Sequence, residues 1–173
     1  MKSEPVMLSR RKLITAVAAI VAAPRAGFAA SPRVVDWEDL IPPGVPYSEI
    51  IGEGEMDERA DRWLPEFDAN ATKLNKELNG AYIKLPGYVL PIDMSTAGVS
   101  SFIMVPYVGA CIHTPPPPAN QLVFVDSPTP WPSEKTWDPV WVTGIIKHDL
   151  QYTTIADIGY AMTAEKIEVY EWE

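Results

Sequence analysis

The chain has 173 residues, with 14 basic against 23 acidic side chains, a net charge of −9 and a single cysteine. That acidic balance argues against nucleic acid and anionic lipid as partners, because both select clustered Lys and Arg, and one cysteine excludes an internal disulfide framework. Length and a 47% hydrophobic content suit one domain with one core.

Residues 1–30 read as a signal peptide rather than as part of the fold. Arg10, Arg11 and Lys12 supply a basic segment, and an apolar run from Leu13 to Ala23 follows. That run is too short to cross a hydrocarbon core, which needs about 20 residues. Small residues at Ala29 and Ala30 fit a cleavage site. The order Ser9-Arg10-Arg11-Lys12-Leu13-Ile14 resembles the twin-arginine export signal, with an ordinary secretory signal as the alternative. Both lead to a periplasmic protein that is soluble after cleavage. Loss of residues 1–29 leaves 9 basic against 22 acidic residues, a net charge of −13. Cys111 lies far from the cleavage point, so no N-terminal cysteine is offered for lipid attachment.

Residues 31–56 follow, rich in proline, glycine and acid, and read as an irregular arm whose Trp37, Leu40, Ile41 and Tyr47 dock on the domain. Disorder is the competing reading. Residues 57–173 form the single domain, beginning with a helical segment over 57–79. There Met56, Ala60, Trp63 and Leu64, then Phe67, Ala71, Leu74 and Leu78, recur at helical spacing. Pro65 suits a first turn and Asn79-Gly80 a helix end.

Residues 80–173 switch to strand patterns: AYIKLPGYVLPID, SSFIMVPYV, NQLVFVD, PVWVTGIIKHD and the pair DIGYAMTA and KIEVYEWE. Alternation fails in Ile103-Met104-Val105 and in Leu122 to Val125, which predicts strands covered on both sides or wrapped around a tight core. Gly87, Gly144 and Gly159 sit inside strand-like runs, where a small barrel needs bulges and bends. The expected fold is mainly β: a small OB-like closed barrel of five or six strands, with the N-terminal helical segment covering one end.

The chemistry concentrates in Val105 to Gln121, VPYVGACIHTPPPPANQ. On an extended backbone Cys111 and His113 point to one face. A thiolate and an imidazole so placed suit zinc or copper. His148, the second histidine, is the candidate third ligand, with Asp93, Asp126 and Asp149 as carboxylates that the fold could add. The competing reading makes Cys111 a small buried hydrophobe and His113 a hydrogen-bonded surface residue. Nucleophilic catalysis fits less well, because side chains at i and i+2 aim in parallel and no second cysteine resolves a mixed disulfide. Pro115, Pro116, Pro117 and Pro118 form a polyproline rod, either a docking edge for a partner or a stiff connection.

The stretches LNGAYIKLPGYVLPID, FIMVPYVGACIHTPPPPANQLVFV and DPVWVTGIIK together resemble a family of uncharacterised bacterial periplasmic proteins and lipoproteins, a domain of unknown function. The likeness runs from Leu78 to Tyr170, and the VPYxGACIHxPPPPxNQ segment is specific to it. Members are often encoded beside FtsX-like ABC transporters, some in zinc-responsive clusters. The resemblance implies a periplasmic accessory to a transporter or to metal handling and transfers no residue roles. Two expectations follow. One is a protein that binds or delivers a transition metal through Cys111 and His113 in association with an ABC transporter. The other is a non-enzymatic interaction module of an envelope transporter complex, without metal.

Overall fold

The structure, a computed structural model, describes residues 31–59, 61–108, 110, 115–135, 138–153 and 155–171. Residues 1–30, where a signal peptide is expected, and Cys111 and His113 therefore lie outside the described residues.

Five strands close a barrel: β4 (Tyr82–Ser95), β5 (Gly98–Val105), β6 (Val123–Trp131), β8 (Asp157–Val169) and β7 (Pro139–Tyr152), the last returning to β4. All pairings in the ring are antiparallel except β6 with β8. With the third and fifth barrel strands parallel and the fourth closing on the first, this is OB connectivity. A two-residue strand β1 (Arg33–Val34) adds in parallel to the outside of β4.

Strand β4 makes closure possible by serving two partners. Its first half, Tyr82 to Tyr88, pairs with β7, and its second half, from Tyr88 on, pairs with β5. The handover falls at Tyr88, next to Gly87, where an added Cβ would stand 2.8 Å from the Val105 carbonyl oxygen and 2.9 Å from the Trp37 ring. A side chain there would push the strands apart. Gly144 has the same role in β7 beneath the Thr163 carbonyl. Beside it Glu165 is an extra residue in β8, because Thr143 faces Lys166 while Gly144 faces Ala164. This bulge bends one continuous strand where two separate runs are expected from the sequence.

The broken alternation has its predicted cause. Phe102 and Met104 fill the barrel, while Ile103 and Val105 join a second cluster outside it with Ala110, Leu122, Ala156 and Ile158. Both faces of β5 are covered, so neither face reads as polar.

The expected helical segment over 57–79 is not helical. Strand β2 (Ile50–Asp57) pairs antiparallel with β3 (Arg62–Phe67) as a separate hairpin, and only a 3₁₀ turn at Lys76–Leu78 follows. The apolar spacing came from two unrelated sources: a hairpin strand carrying Trp63, Leu64 and Phe67, and turns that bury Ala71 and Leu78 against the barrel. Between the pairs Ile51–Glu66 and Glu55–Leu64 the register shifts, setting Gly52, Glu53 and Gly54 against Pro65. Gly52 and Gly54 hold φ of +65° and +68°. A proline without an N–H fits a bulge of that kind. Beyond the hairpin, Asp68 accepts hydrogen bonds from Ser48 Oγ (2.8 Å) and Asn70 N (2.9 Å), and Asn75 accepts one from Glu77 N (3.1 Å). The two bonds from Asn70 N and Glu77 N are local, each spanning two residues, and such side-chain bonds compete with helix formation.

The N-terminal arm docks, as expected for Leu40, which is fully buried, and for Trp37, whose Nε1 donates to the Pro86 carbonyl (2.8 Å). Tyr47 remains half exposed. A buried set of hydrogen bonds fastens the arm. Tyr160 Oη donates to the Leu40 carbonyl (2.6 Å) and accepts from Asn75 N (2.7 Å), and Asn75 Nδ2 donates to the Asp39 carbonyl (2.7 Å). Burial pushes the Tyr160 phenol up to about 12, so it stays a neutral donor. Tyr160→Phe leaves a buried carbonyl and a buried N–H without partners. It should cost about 1–3 kcal/mol in a denaturant titration and expose the arm to limited proteolysis. Unchanged stability and an equally protected arm would show that the hydroxyl does not hold it.

Candidate functional site

A cleft of about 460 Å³ opens at one end of the barrel. Its walls are the end of β3 from Leu64 to Phe67, the turn with Asp68, Ala69, Ala71 and Thr72, then Pro116, Pro117 and Ala119, and the β7–β8 connection with Thr153 and Ala156, followed by Asp157 at the start of β8. The β5–β6 and β7–β8 connections leave the same end of the barrel, and the inserted hairpin closes the third side.

Hydrogen bonds hold the proline wall, the turn opposite it and the β7–β8 connection. Pro118 is extended (φ −61°, ψ 156°), and the 3₁₀ turn Ala119–Gln121 follows it. From that turn Asn120 N donates to the Ala71 carbonyl (2.9 Å), and Asn120 Nδ2 donates to the carbonyls of Asn70 (3.0 Å) and Lys73 (3.2 Å). These bonds staple the proline wall to the opposite turn. Gln121 Nε2 reaches the Trp37 carbonyl (2.8 Å) and ties the same turn to the arm. Among the described residues Asn120 Oδ1 is buried and meets no hydrogen-bond partner. Gly159 lets β8 run close beneath: a Cβ there would stand 2.6 Å from the Ala119 carbonyl oxygen. In the β7–β8 connection, Thr153 Oγ1 donates to the Ala156 carbonyl (2.7 Å) and accepts from the amides of Ile155 and Ala156.

Three carboxylates line this cleft, Glu66, Asp68 and Asp157. None of its described lining residues is Lys or Arg. The hydrogen bond from Ser48, helped by the amide of Asn70, holds the Asp68 carboxyl below its ordinary range. Partial burial pushes Asp157 the other way. Asp157 remains exposed at the rim, so its shift reflects a modest loss of water rather than a buried charge.

The residues singled out from the sequence are placed as follows. Pro115 is exposed, while Pro116, Pro117 and Pro118 are buried, the first two of these forming a cleft wall. His148 lies on β7, half-buried and away from the cleft lining. Its Nε2 stands 2.8 Å from the Asn75 carbonyl oxygen, and its ring meets Tyr160 edge-on at 5.6 Å. A carbonyl only accepts, so Nε2 carries the proton and a neutral ring has its lone pair on Nδ1. Asp93 accepts from Ser100 Oγ (3.2 Å) and Asp149 from Gln151 Nε2 (2.6 Å). Among the described residues no three His, Cys, Asp or Glu side chains gather to hold a metal ion. Sequence reasoning missed Asp68 and Asp157. Asp68-Ala69-Asn70 carries the signature of an Asx turn, a signal for the turn but not for the cleft.

Residues 37–169 match the sequence model of a family described as "Protein of unknown function (DUF3299)". The chain belongs to this family. A crystal structure of a DUF3299 family protein from Pseudomonas aeruginosa PAO1 is similar to it at 35% sequence identity and a TM-score of 0.67, over 83% of this chain and 99% of that one. No curated protein matches this DUF3299 chain. Among its described residues no helix is long and apolar enough to cross a membrane.

The two aspartates predict opposite pH effects. The Asp68 pKa is lowered from 3.8, so its stabilisation is present above that value and lost as pH falls through the folded pKa. Asp68→Asn should therefore lower the melting temperature at neutral pH and lose much of the acid sensitivity. The Asp157 pKa is raised from 3.8, so its ionisation opposes folding above that value. Asp157→Asn should raise the melting temperature slightly at neutral pH and do nothing in acid. Thermal unfolding followed across pH checks both, and a shift of the same sign for the two variants would contradict the assignment.

Proposed function

We propose that this DUF3299 protein is a binding module of the bacterial cell envelope, with the cleft as the place where a partner protein docks. Export through the twin-arginine signal at residues 1–30 places it in the periplasm, soluble after cleavage, as an accessory to an ABC transporter or another envelope protein. The observation that carries this reading is the cleft itself, whose walls are stapled through Asn120 and Thr153 and stiffened by Pro116 and Pro117. A preformed surface loses little conformational freedom on binding. Asn120 and Gln121 belong to that staple. The tetraproline then acts as a rigid wall of the site, with exposed Pro115 at its entrance, rather than as a free ridge.

A photo-crosslinking residue placed at exposed Thr72, on the cleft, should give a defined protein adduct in intact cells, identified by mass spectrometry. The same residue at exposed Thr129, on β6 outside the cleft, should not. Equal adducts at both positions, or none, would overturn the reading, and so would recovery of the protein in the cytoplasmic fraction.

A second reading keeps a metal, zinc or copper, on Cys111 and His113 with His148 as third ligand. The observation in its favour is the Nε2–H bond to the Asn75 carbonyl, since a ligating imidazole ordinarily donates its other N–H to such a partner. Metal content of the protein purified without chelator separates the readings. About one equivalent lost on Cys111→Ala with His113→Ala would support a metal site. No metal in the parent after zinc or copper is added would leave the interaction module alone.

A further inference from the structure

The chemistry of the cleft walls specifies its occupant more closely than the docking reading on which this rests. We propose that the cleft takes an extended protein segment bearing lysine or arginine. Hydrogen-bonding groups there are predominantly acceptors. Glu66, Asp68 and Asp157 present carboxylates, and Pro116 and Pro117 keep their carbonyls but have no N–H. Three nearby donors already have partners: the Thr153 hydroxyl donates to the Ala156 carbonyl, the Ser48 hydroxyl to Asp68, and the Asn70 amide to Asp68, and the lining adds the exposed Thr72 hydroxyl. An anionic or acceptor-rich ligand would find little to bind. A guanidinium or ammonium group brings several donors and no acceptor, which is the complement of this lining.

Charge points the same way. Among the described residues the ion pairs draw on Asp39, Glu77 and Glu168 and leave the three cleft carboxylates without a basic partner. Asp68 is held ionised by its hydrogen bonds, so the charge is present at neutral pH. The chain as a whole carries −9, which steers cationic surfaces toward it. Apolar surface completes the fit, because Phe67, Pro116 and Pro117 offer a wall for the methylene stem of Lys or Arg while the head group meets the carboxylates. At about 460 Å³ the cleft falls in the range of ligand clefts and exceeds what one head group needs, so neighbouring residues of a segment have room along β3.

The test uses a fluorescein-labelled, amidated octapeptide of alternating Ala and Lys, with Glu and norleucine versions in place of Lys, followed by fluorescence anisotropy against the mature protein. Only the Lys peptide should bind, more weakly as salt rises. Glu66→Gln with Asp157→Asn should weaken it by about tenfold or more. Asp68 is left intact because it holds the turn. Asp126→Asn with Glu134→Gln removes the same charge from exposed positions outside the cleft and should change affinity by less than about twofold. Equal losses in the two double variants would reduce the effect to general attraction and overturn the proposal. Absence of Lys-peptide binding, or equally tight binding of the norleucine peptide, would also overturn it. Spermidine competing as well as the peptide would reassign the cleft to a small polyamine. A Thr72 crosslink that persists in the Glu66→Gln, Asp157→Asn variant, with peptide affinity unchanged, would sink the basic-segment inference and leave the docking reading standing.

Discussion

The buried hydrogen bonds centred on Asn75 are the constraint on which the rest of this molecule depends. Its amide meets the Tyr160 hydroxyl, its carbonyl meets His148, its side-chain amide reaches the Asp39 carbonyl and its side-chain oxygen accepts from Glu77. One residue thereby joins β7, β8, the N-terminal arm and the turns that follow the hairpin. The two bonds of the Tyr160 hydroxyl are buried, so leaving either unmade would cost the full desolvation of a polar group. That asymmetry locks the arm and the turns in one arrangement on the barrel. Asn70 to Lys73, the receiving side of the Asn120 staple, are held in place as a consequence.

A barrel of five strands has a small interior, and here it is filled by side chains such as Phe102, Met104 and Ile146. That filling leaves the ends and outer faces of the barrel as the surfaces open to a ligand. The chain builds its cleft there from material outside the ring: the hairpin, the turns and the proline segment. Proline suits the purpose physically. It forms a wall without backbone donors and with little entropy to lose, and the wall's polarity is then set by neighbouring carboxylates. The acceptor-rich lining is therefore a joint product of the proline run and of Glu66, Asp68 and Asp157, which reach it from different elements.

His148 shows how one residue supports two accounts. Its proton on Nε2 fastens Asn75, which is a structural role complete in itself, and the same bond is the one a ligating histidine would make. What separates the accounts is whether Nδ1 has an ion to meet, and that depends on Cys111 and His113.

Much of the barrel was legible in the residue order. Strand runs are local signals, since alternation and β-branched content report a pleated, half-buried backbone. Even the failed alternation at Ile103 to Val105 carried information, because covering both faces of a strand removes the polar positions. Glycines inside strands foretold tight approach, which Gly87 and Gly144 make at the closure and at the bulge. The supposed helix was not legible, for apolar spacing over 57–79 cannot distinguish one amphipathic surface from a hairpin strand and a set of turns that bury their apolar residues separately. By itself, then, the sequence determined a mainly β barrel, its family and a single thiol with a histidine two residues on. Tertiary structure alone decided where the proline wall faces, that Asn120 and Gln121 act as staples, and that Asp68 and Asp157 share a cleft. Those are distances between residues far apart in the chain, and no local pattern encodes a distance set by closing a ring of strands.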